Sequence, residues 1–222
     1  MRRFCRDNGL SLAAFGLFLL FLVVMSITGN REYNQDQREH DEEPVGYVSY
    51  LGTGHFKESV FENWESEFLQ MGGFVVLTIF LRQKGSPESK RMEGDEDVDR
   101  EPDPDRPGAP WPVRRGGLAL RLYKNSLALA LFGLFLLAFL GHAGGGAEEY
   151  GDEREAHGQP RVSVTSYMTT SRFWFESMQN WQSEFLAVGS LVALSIYLRQ
   201  MGSPESKPVD HPTPKRAGSS RR

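Results

Sequence analysis

The chain has 222 residues, with 25 Lys and Arg against 29 Asp and Glu and a single cysteine. A net charge of -4 offers no basic surface of the kind nucleic acid requires, and one cysteine excludes an internal disulfide framework. The hydrophobic 40% is gathered into a few long runs, so the first question is topology rather than chemistry.

Arg2, Arg3 and Arg6 precede an uncharged run of 18 residues, 10–27. At 1.5 Å per residue it spans about 27 Å, against about 30 Å of hydrocarbon, which predicts a membrane helix over about residues 10–28. No small-residue cleavage site follows in Ser26-Ile27-Thr28-Gly29-Asn30, so the run is not read as a signal peptide. Residues 68–81 form a largely apolar segment of only 14 residues. Extending them back to Asn63 predicts a second span over about 63–81, with Trp64 at the depth where tryptophan is favoured.

Residues 91–117 carry eight acidic side chains between Glu93 and Asp105 and then Pro107, Pro110 and Pro112. This composition predicts a disordered acidic cytoplasmic linker. Residues 126–142 and 180–198 are then read as the third and fourth spans, and 208–222 as a disordered basic tail. Asn63-Trp64-Glu65-Ser66-Glu67-Phe68-Leu69 returns as Asn180-Trp181-Gln182-Ser183-Glu184-Phe185-Leu186, an offset of 117. The same offset carries Gly85-Ser86-Pro87-Glu88-Ser89-Lys90 onto Gly202-Ser203-Pro204-Glu205-Ser206-Lys207. The glycine and proline explain a helix stop; nothing in helix capping demands the Glu-Ser-Lys that follows. The expected fold is all-α and polytopic, with four transmembrane helices as two tandem parallel-repeat hairpins, residues 1–90 and 118–207.

Nineteen Lys and Arg fall before, between and after these hairpins and six in the two remaining loops. That asymmetry predicts a multi-pass protein of the inner (plasma) membrane with both termini cytoplasmic. The two outer loops share Glu32-Tyr33 with Glu149-Tyr150 and His40 with His157, with Asp36 and Glu153 near the histidines. No compact ligand spacing joins these residues, so they are read as surface histidines and neither metal nor cofactor is expected.

Glu67 and Glu184 would stand about 9 Å inside the outer hydrocarbon boundary, where a carboxylate is costly without a partner. Asn63 and Asn180 lie one helical turn earlier and would supply an amide to each, making Asn63, Glu67, Asn180 and Glu184 the candidate polar site. The competing reading makes each Asn the cap of an interfacial helix start. Glu62 and Glu65 become Gln179 and Gln182 in the second copy, which places them on a solvent or headgroup face. Gly16, Gly72, Gly133 and Gly189 are retained at the offset and are the candidate helix-packing positions.

Arg3-Phe4-Cys5-Arg6-Asp7-Asn8-Gly9, Arg31-Glu32-Tyr33-Asn34 and the two Asn-Trp-(Glu/Gln)-Ser-Glu-Phe-Leu stretches resemble an uncharacterised bacterial family of small integral membrane proteins, a domain of unknown function. The resemblance implies a membrane protein and brings no activity, substrate or cofactor. No HExxH, phosphate loop or nucleophile–base spacing is present, so an enzyme is not expected. The expected function is a membrane organiser or accessory subunit. The alternative is a small ion- or proton-coupled transporter or channel using Glu67 and Glu184. The expected partners are membrane lipids and a homo-oligomer or another membrane protein.

Overall fold

The computed structural model describes residues 2–40 and 42–212. Among these are nine α-helices, one 3-10 turn and no strand. In chain order the helices are α1 (Arg2–Asp7), α2 (Gly9–Glu39), α3 (Tyr47–Tyr50), α4 (Gly54–Phe80), α5 (Trp111–Arg115), α6 (Gly117–Tyr123), α7 (Ser126–Ala156), α8 (Val164–Tyr167) and α9 (Ser171–Leu194). The chain divides into two compact units, Met1–Glu62 with Phe139–Trp174, and Asn63–Ala138 with Phe175–Arg222.

The first unit is built where aromatic side chains meet glycines. On α2, a Cβ at Gly29 would stand 2.2 Å from the Tyr50 hydroxyl, and on α7 a Cβ at Gly146 would stand 2.5 Å from that of Tyr167. Only glycine leaves room for either phenol. Both tyrosines are buried, and Tyr167 joins Ala143, Ala147 and Phe173 in the hydrophobic core. Gly54 and Gly145 allow α4 and α7 to approach backbone to backbone: a Cβ at Gly145 would lie 2.6 Å from the Glu58 nitrogen. Lys57 Nζ seals that contact on Glu148 Oε2 at 2.6 Å. Helix α4 is capped by Thr53, whose hydroxyl accepts the Phe56 N–H at 3.3 Å, and α9 by Thr170, which accepts that of Phe173 at 3.3 Å. Each cap satisfies one of the four N–H groups that a helix start leaves without an intrahelical acceptor.

In the second unit the half-buried Trp181 meets Phe135 edge to face, with ring centroids 6.1 Å apart. A Cβ at Gly72 would touch Leu131 and Phe132 at 3.4 Å, and one at Gly73 would touch Phe185 at 3.5 Å. Glu65 is fully buried and accepts the Trp181 indole N–H at 3.0 Å. After α4 the chain is ordered by polar contacts. Lys90 Nζ reaches Asp99 at 2.5 Å, and Arg91 pairs with Glu96 through both its backbone N–H and its guanidinium, at 2.9 and 3.0 Å. Glu96 is held below the usual carboxylate range by those two contacts, the backbone N–H first.

Several expectations are corrected by this architecture. Among the described residues two helices, α2 and α7, are long and apolar enough to cross a membrane by length and composition, not the four expected in two hairpins. Helix α4 begins at Gly54 and runs through Lys57, Glu58, Glu62, Glu65 and Glu67, and α9 begins at Ser171 and ends at Leu194. The helical segments therefore do not coincide with the apolar windows 63–81 and 180–198. Nor do the halves fold as tandem repeat units, since each compact unit takes chain from both. Both α2 and α7 continue past the apolar run into polar sequence rich in helix formers, where outer loops were expected. The linker is not disordered: a 3-10 turn spans Asp97–Asp99, and α5 follows, with Pro112 in its first turn and Gly116 ending it at φ 67°. Residues 213–222 of the predicted basic tail lie outside the described residues.

The assignments that rested on four spans are corrected with them. The internal ion pairs, buried hydrogen bonds and packed glycine–aromatic contacts replace the inner-membrane location, the membrane lipids and membrane-embedded oligomer as partners, and the organiser or transporter role.

Candidate functional site

One face of α2 and one of α7 in the first unit line a cavity of about 450 Å³. Tyr33, Asp36, Gln37 and His40 recur at the i, i+3, i+4, i+7 spacing of a single helical face, as do Glu149, Asp152, Glu153 and Ala156. Glu42, Glu155, His157 and Arg161 complete the wall. Six carboxylates thus face one lining guanidinium. Arg161 engages Asp152 and, at 2.7 Å, Glu155, while Arg172 engages Glu153 from outside the lining. Among the described residues, no arginine or lysine forms an ion pair with Asp36, Glu42 or Glu149.

Glu149 stands apart from the others. It accepts the His55 backbone N–H near the start of α4, yet its Oε2 is buried without a hydrogen-bond partner. Burial, aided by the charges of Glu58, Glu153 and Asp152, pushes its carboxyl up to about 7. Asp152 is raised chiefly by burial, which Arg161 opposes. The Tyr33 hydroxyl is raised by burial and then by Glu149, Asp152, Glu42 and Asp36, which places it among these carboxylates.

The two cavity histidines share one arrangement. His40 Nδ1 meets the Asp36 carbonyl at 3.0 Å and His157 Nδ1 the Glu153 carbonyl at 2.7 Å, which assigns the proton to Nδ1 in each ring. His40 is pushed up by that carbonyl and then by the Asp36 carboxylate. Deeper in the same unit Glu58 accepts the Tyr167 O–H at 3.0 Å, and His142 stacks on Phe173 with centroids 4.9 Å apart. Glu58 and His142 offer ligand atoms within 4.8 Å of each other.

The residues predicted as a polar membrane site are placed differently. Asn63 and Asn180 lie in the interior of α4 and α9, so neither caps a helix. Asn180 donates to the Glu176 carbonyl at 3.2 Å, one turn back along its own helix, rather than forward to Glu184. Glu67 is exposed and Glu184 half-buried. Partial desolvation raises Glu67 above its ordinary range and the Glu184 charge adds to it. The residue expected to face outward, Glu65, is the buried one. Of the four candidate packing glycines, Gly72 meets a neighbour; a Cβ at Gly16, Gly133 or Gly189 would meet nothing within 4 Å.

Sequence reasoning paired Glu32-Tyr33 with Glu149-Tyr150 and His40 with His157 without bringing them to one cavity. The available signal was the periodicity of the polar stretch following each apolar run, where acidic and histidine positions recur at three- and four-residue spacing.

A family model described as a domain of unknown function, DUF6766, matches residues 1–218, and the chain belongs to that family. The description prints no property beyond that, and of the four membrane-length helices expected with the resemblance the described residues contain two, α2 and α7. No curated protein matches the chain. No solved structure matches it.

Proposed function

We propose that the chain is a non-enzymatic binding protein whose acidic cavity in the first unit takes a small organic polycation, an amine with two or more ammonium groups. The observation that carries this reading is Glu149, a cavity-lining carboxylate with one oxygen buried and unpartnered. A buried acceptor of this kind is costly until a donor meets it. Asp36 and Glu42 offer further acceptors to a second ammonium, and Tyr33 a ring against which an aliphatic chain can lie.

Size and donor spacing favour an organic cation over a bare metal ion. The cavity, about 450 Å³, is of the size of a small-molecule pocket. Among the described residues, no three lining side chains bring ligand atoms within 4.8 Å of one another. A dehydrated metal ion requires such convergence. The absence from the sequence of a nucleophile–base spacing supports binding rather than catalysis.

Calorimetric titration of the full chain at low ionic strength with spermidine, putrescine, magnesium and sodium tests the proposal. The expected result is saturable binding of spermidine at one site, weakened by salt. Asp36→Asn, at an exposed position, should weaken it about tenfold, the loss of one charge-assisted contact of about 1.4 kcal/mol. Glu149→Gln should weaken it at least as much. Magnesium binding as tightly as spermidine, or spermidine binding indifferent to both substitutions, rejects the reading.

A further inference from the structure

Helices α2 and α7 of the first unit end in the same turn, and from each a short strap runs back along the helix. The Glu42 N–H donates to the Gln37 carbonyl at 2.8 Å; its counterpart at the 117 offset, the Gln159 N–H, donates to the Arg154 carbonyl at 2.8 Å. The straps are then fastened differently. Asn34 of α2 clamps Val45 by both backbone groups, accepting its N–H at 2.7 Å and donating to its carbonyl at 2.9 Å, and Asn30 donates to the same carbonyl at 3.4 Å. The residues at those places on α7 are Gly151 and Ala147, which have no side-chain amide to offer.

Arg161 holds the second strap instead. Its side chain lies over Gly151, where an added Cβ would stand 3.4 Å from its Cγ and 3.7 Å from Nη1. Its guanidinium engages Asp152 and, from Nε at 2.7 Å, Glu155. Arg154 Nε donates to the Pro160 carbonyl at 2.9 Å, and Val162 packs against the core of Tyr167 and Phe173. Gly158, at φ 70°, is where this strap leaves the helix. Between that turn and the anchored Val162, arginines do what asparagines do on α2.

The difference matters because of what can replace each fastening. An amide clamped on backbone groups presents nothing that a dissolved cation substitutes for. A guanidinium on two carboxylates does, since an ammonium donates to the same acceptors. Arg161, Asp152 and Glu155 all line the acidic cavity. We propose that Arg161 is a tethered competitor for that cavity: its guanidinium occupies Asp152 and Glu155 when the site is empty, and an entering polycation displaces it and frees the strap between Gly158 and Val162. The inference rests on the reading of the cavity as a polycation site. The Arg161 side chain is 53% exposed, and ion pairs so exposed are weak enough for a ligand to open. The tether nevertheless keeps the guanidinium at high local concentration, so the closed form lowers the apparent affinity by the fraction of molecules that are open.

Calorimetric titration of the full chain with spermidine, together with hydrogen exchange, tests this. Arg161→Gln should tighten binding about fivefold, as expected where about four molecules in five are closed. Arg38→Gln removes the same charge from an exposed position of α2 outside the cavity lining, and should tighten it less than about twofold. In the wild type, saturating spermidine should lower protection of the Gln159 amide about tenfold and leave that of the Val45 amide unchanged. Binding by Arg161→Gln alone would support the competitor in its strongest form. If neither protein binds spermidine, the cavity reading fails and the competitor with it. If both bind equally, or if Arg38→Gln tightens binding as much as Arg161→Gln, the cavity reading stands and the competitor is overturned. Gln159 protection that spermidine raises or leaves unchanged also overturns it, because the strap would then stay closed over the bound cation.

Discussion

Tyr50 and Tyr167, 117 positions apart in the same unit, occupy corresponding corners with different wiring. Each lies against a helix glycine, just before a threonine-capped helix, with an aromatic neighbour edge to face: Phe56 at 5.5 Å and Phe173 at 5.5 Å. The phenols then diverge. That of Tyr50 meets His55 Nδ1 at 3.1 Å, and the other ring nitrogen of His55 reaches the exposed Glu32 at 3.2 Å. That of Tyr167 donates inward to the buried Glu58. Position 172, the counterpart of His55, is an arginine that turns to Glu153 instead. The shared part of each corner is steric, glycine against ring; the hydroxyl's partner is free to vary once the ring is seated.

The largest test of this contrast removes a ring. Phe173 is fully buried and Phe56 half-buried. Phe173→Ala should cost about 3–5 kcal/mol in denaturant unfolding, and Phe56→Ala about half as much, since its site is partly hydrated already. Equal costs would mean that the Tyr50 corner is as dry as its counterpart.

Next in size are the glycines. Gly29→Ala and Gly146→Ala should each destabilise by about 1–3 kcal/mol, the usual cost of overpacking. They differ in what relieves them. At Gly29 the new Cβ meets only the hydroxyl below 3 Å, with the nearest ring carbon at 3.1 Å; at Gly146 ring carbons stand at 2.6 and 2.7 Å. Tyr50→Phe should therefore rescue most of the Gly29→Ala loss, whereas Tyr167→Phe should not rescue Gly146→Ala. A double-mutant cycle at each corner measures this directly.

How far these corners were legible follows from the kind of signal each residue leaves. The offset of 117 aligns Tyr50 with Tyr167, Thr53 with Thr170 and Phe56 with Phe173 in the sequence, and the long apolar runs mark helices within α2 and α7. Glycine contacts leave no such mark. Gly16 and Gly133, retained at the offset, touch nothing, whereas Gly145 carries the α4–α7 approach in the first unit. Glu65 was misplaced for a related reason: its replacement by Gln182 suggested an outward face, but the buried partner is the Trp181 N–H, a long-range contact that helical periodicity does not encode. The acidic cavity was half legible, its residues visible as pairs in sequence and its convergence set by tertiary packing.

Removing a hydroxyl is the third test. Tyr167→Phe takes a buried donor from Glu58 and should cost about 1–3 kcal/mol, whereas Tyr50→Phe should cost about 0.5–1.5 kcal/mol because His55 can turn to water. The pH dependence separates them further. Burial, with Glu32 and Glu149 adding, pushes the Tyr50 hydroxyl up to about 12. A raised phenol stabilises the fold below its unfolded value of about 10 and loses that contribution as pH climbs toward the folded one. Wild type should therefore fall in stability relative to Tyr50→Phe between about pH 10 and pH 12. A constant difference across that window would show that Tyr50 is more hydrated than its packing indicates.

The smallest effect is expected at the caps, and it is the one place where the corners should agree. Thr53 Oγ1 and Thr170 Oγ1 each accept the N–H three residues on at 3.3 Å, and each hydroxyl also donates at 2.7 Å, to the Tyr50 and Tyr167 carbonyls respectively. Replacing either with Ala removes the same two contacts, so Thr53→Ala and Thr170→Ala should each cost about 1 kcal/mol. Replacement by Ser keeps the oxygen and should recover most of that loss; replacement by Val keeps the shape and should not. The cap acts on a helix start, whereas the phenol acts on whatever polar group lies beyond it, so equality here alongside inequality in the tyrosine pair would separate the two contributions. If Thr170→Ala cost several times more than Thr53→Ala, the cap and the buried Tyr167–Glu58 bond would be coupled through the Tyr167 carbonyl, and the corners would differ in backbone as well as in side-chain partner.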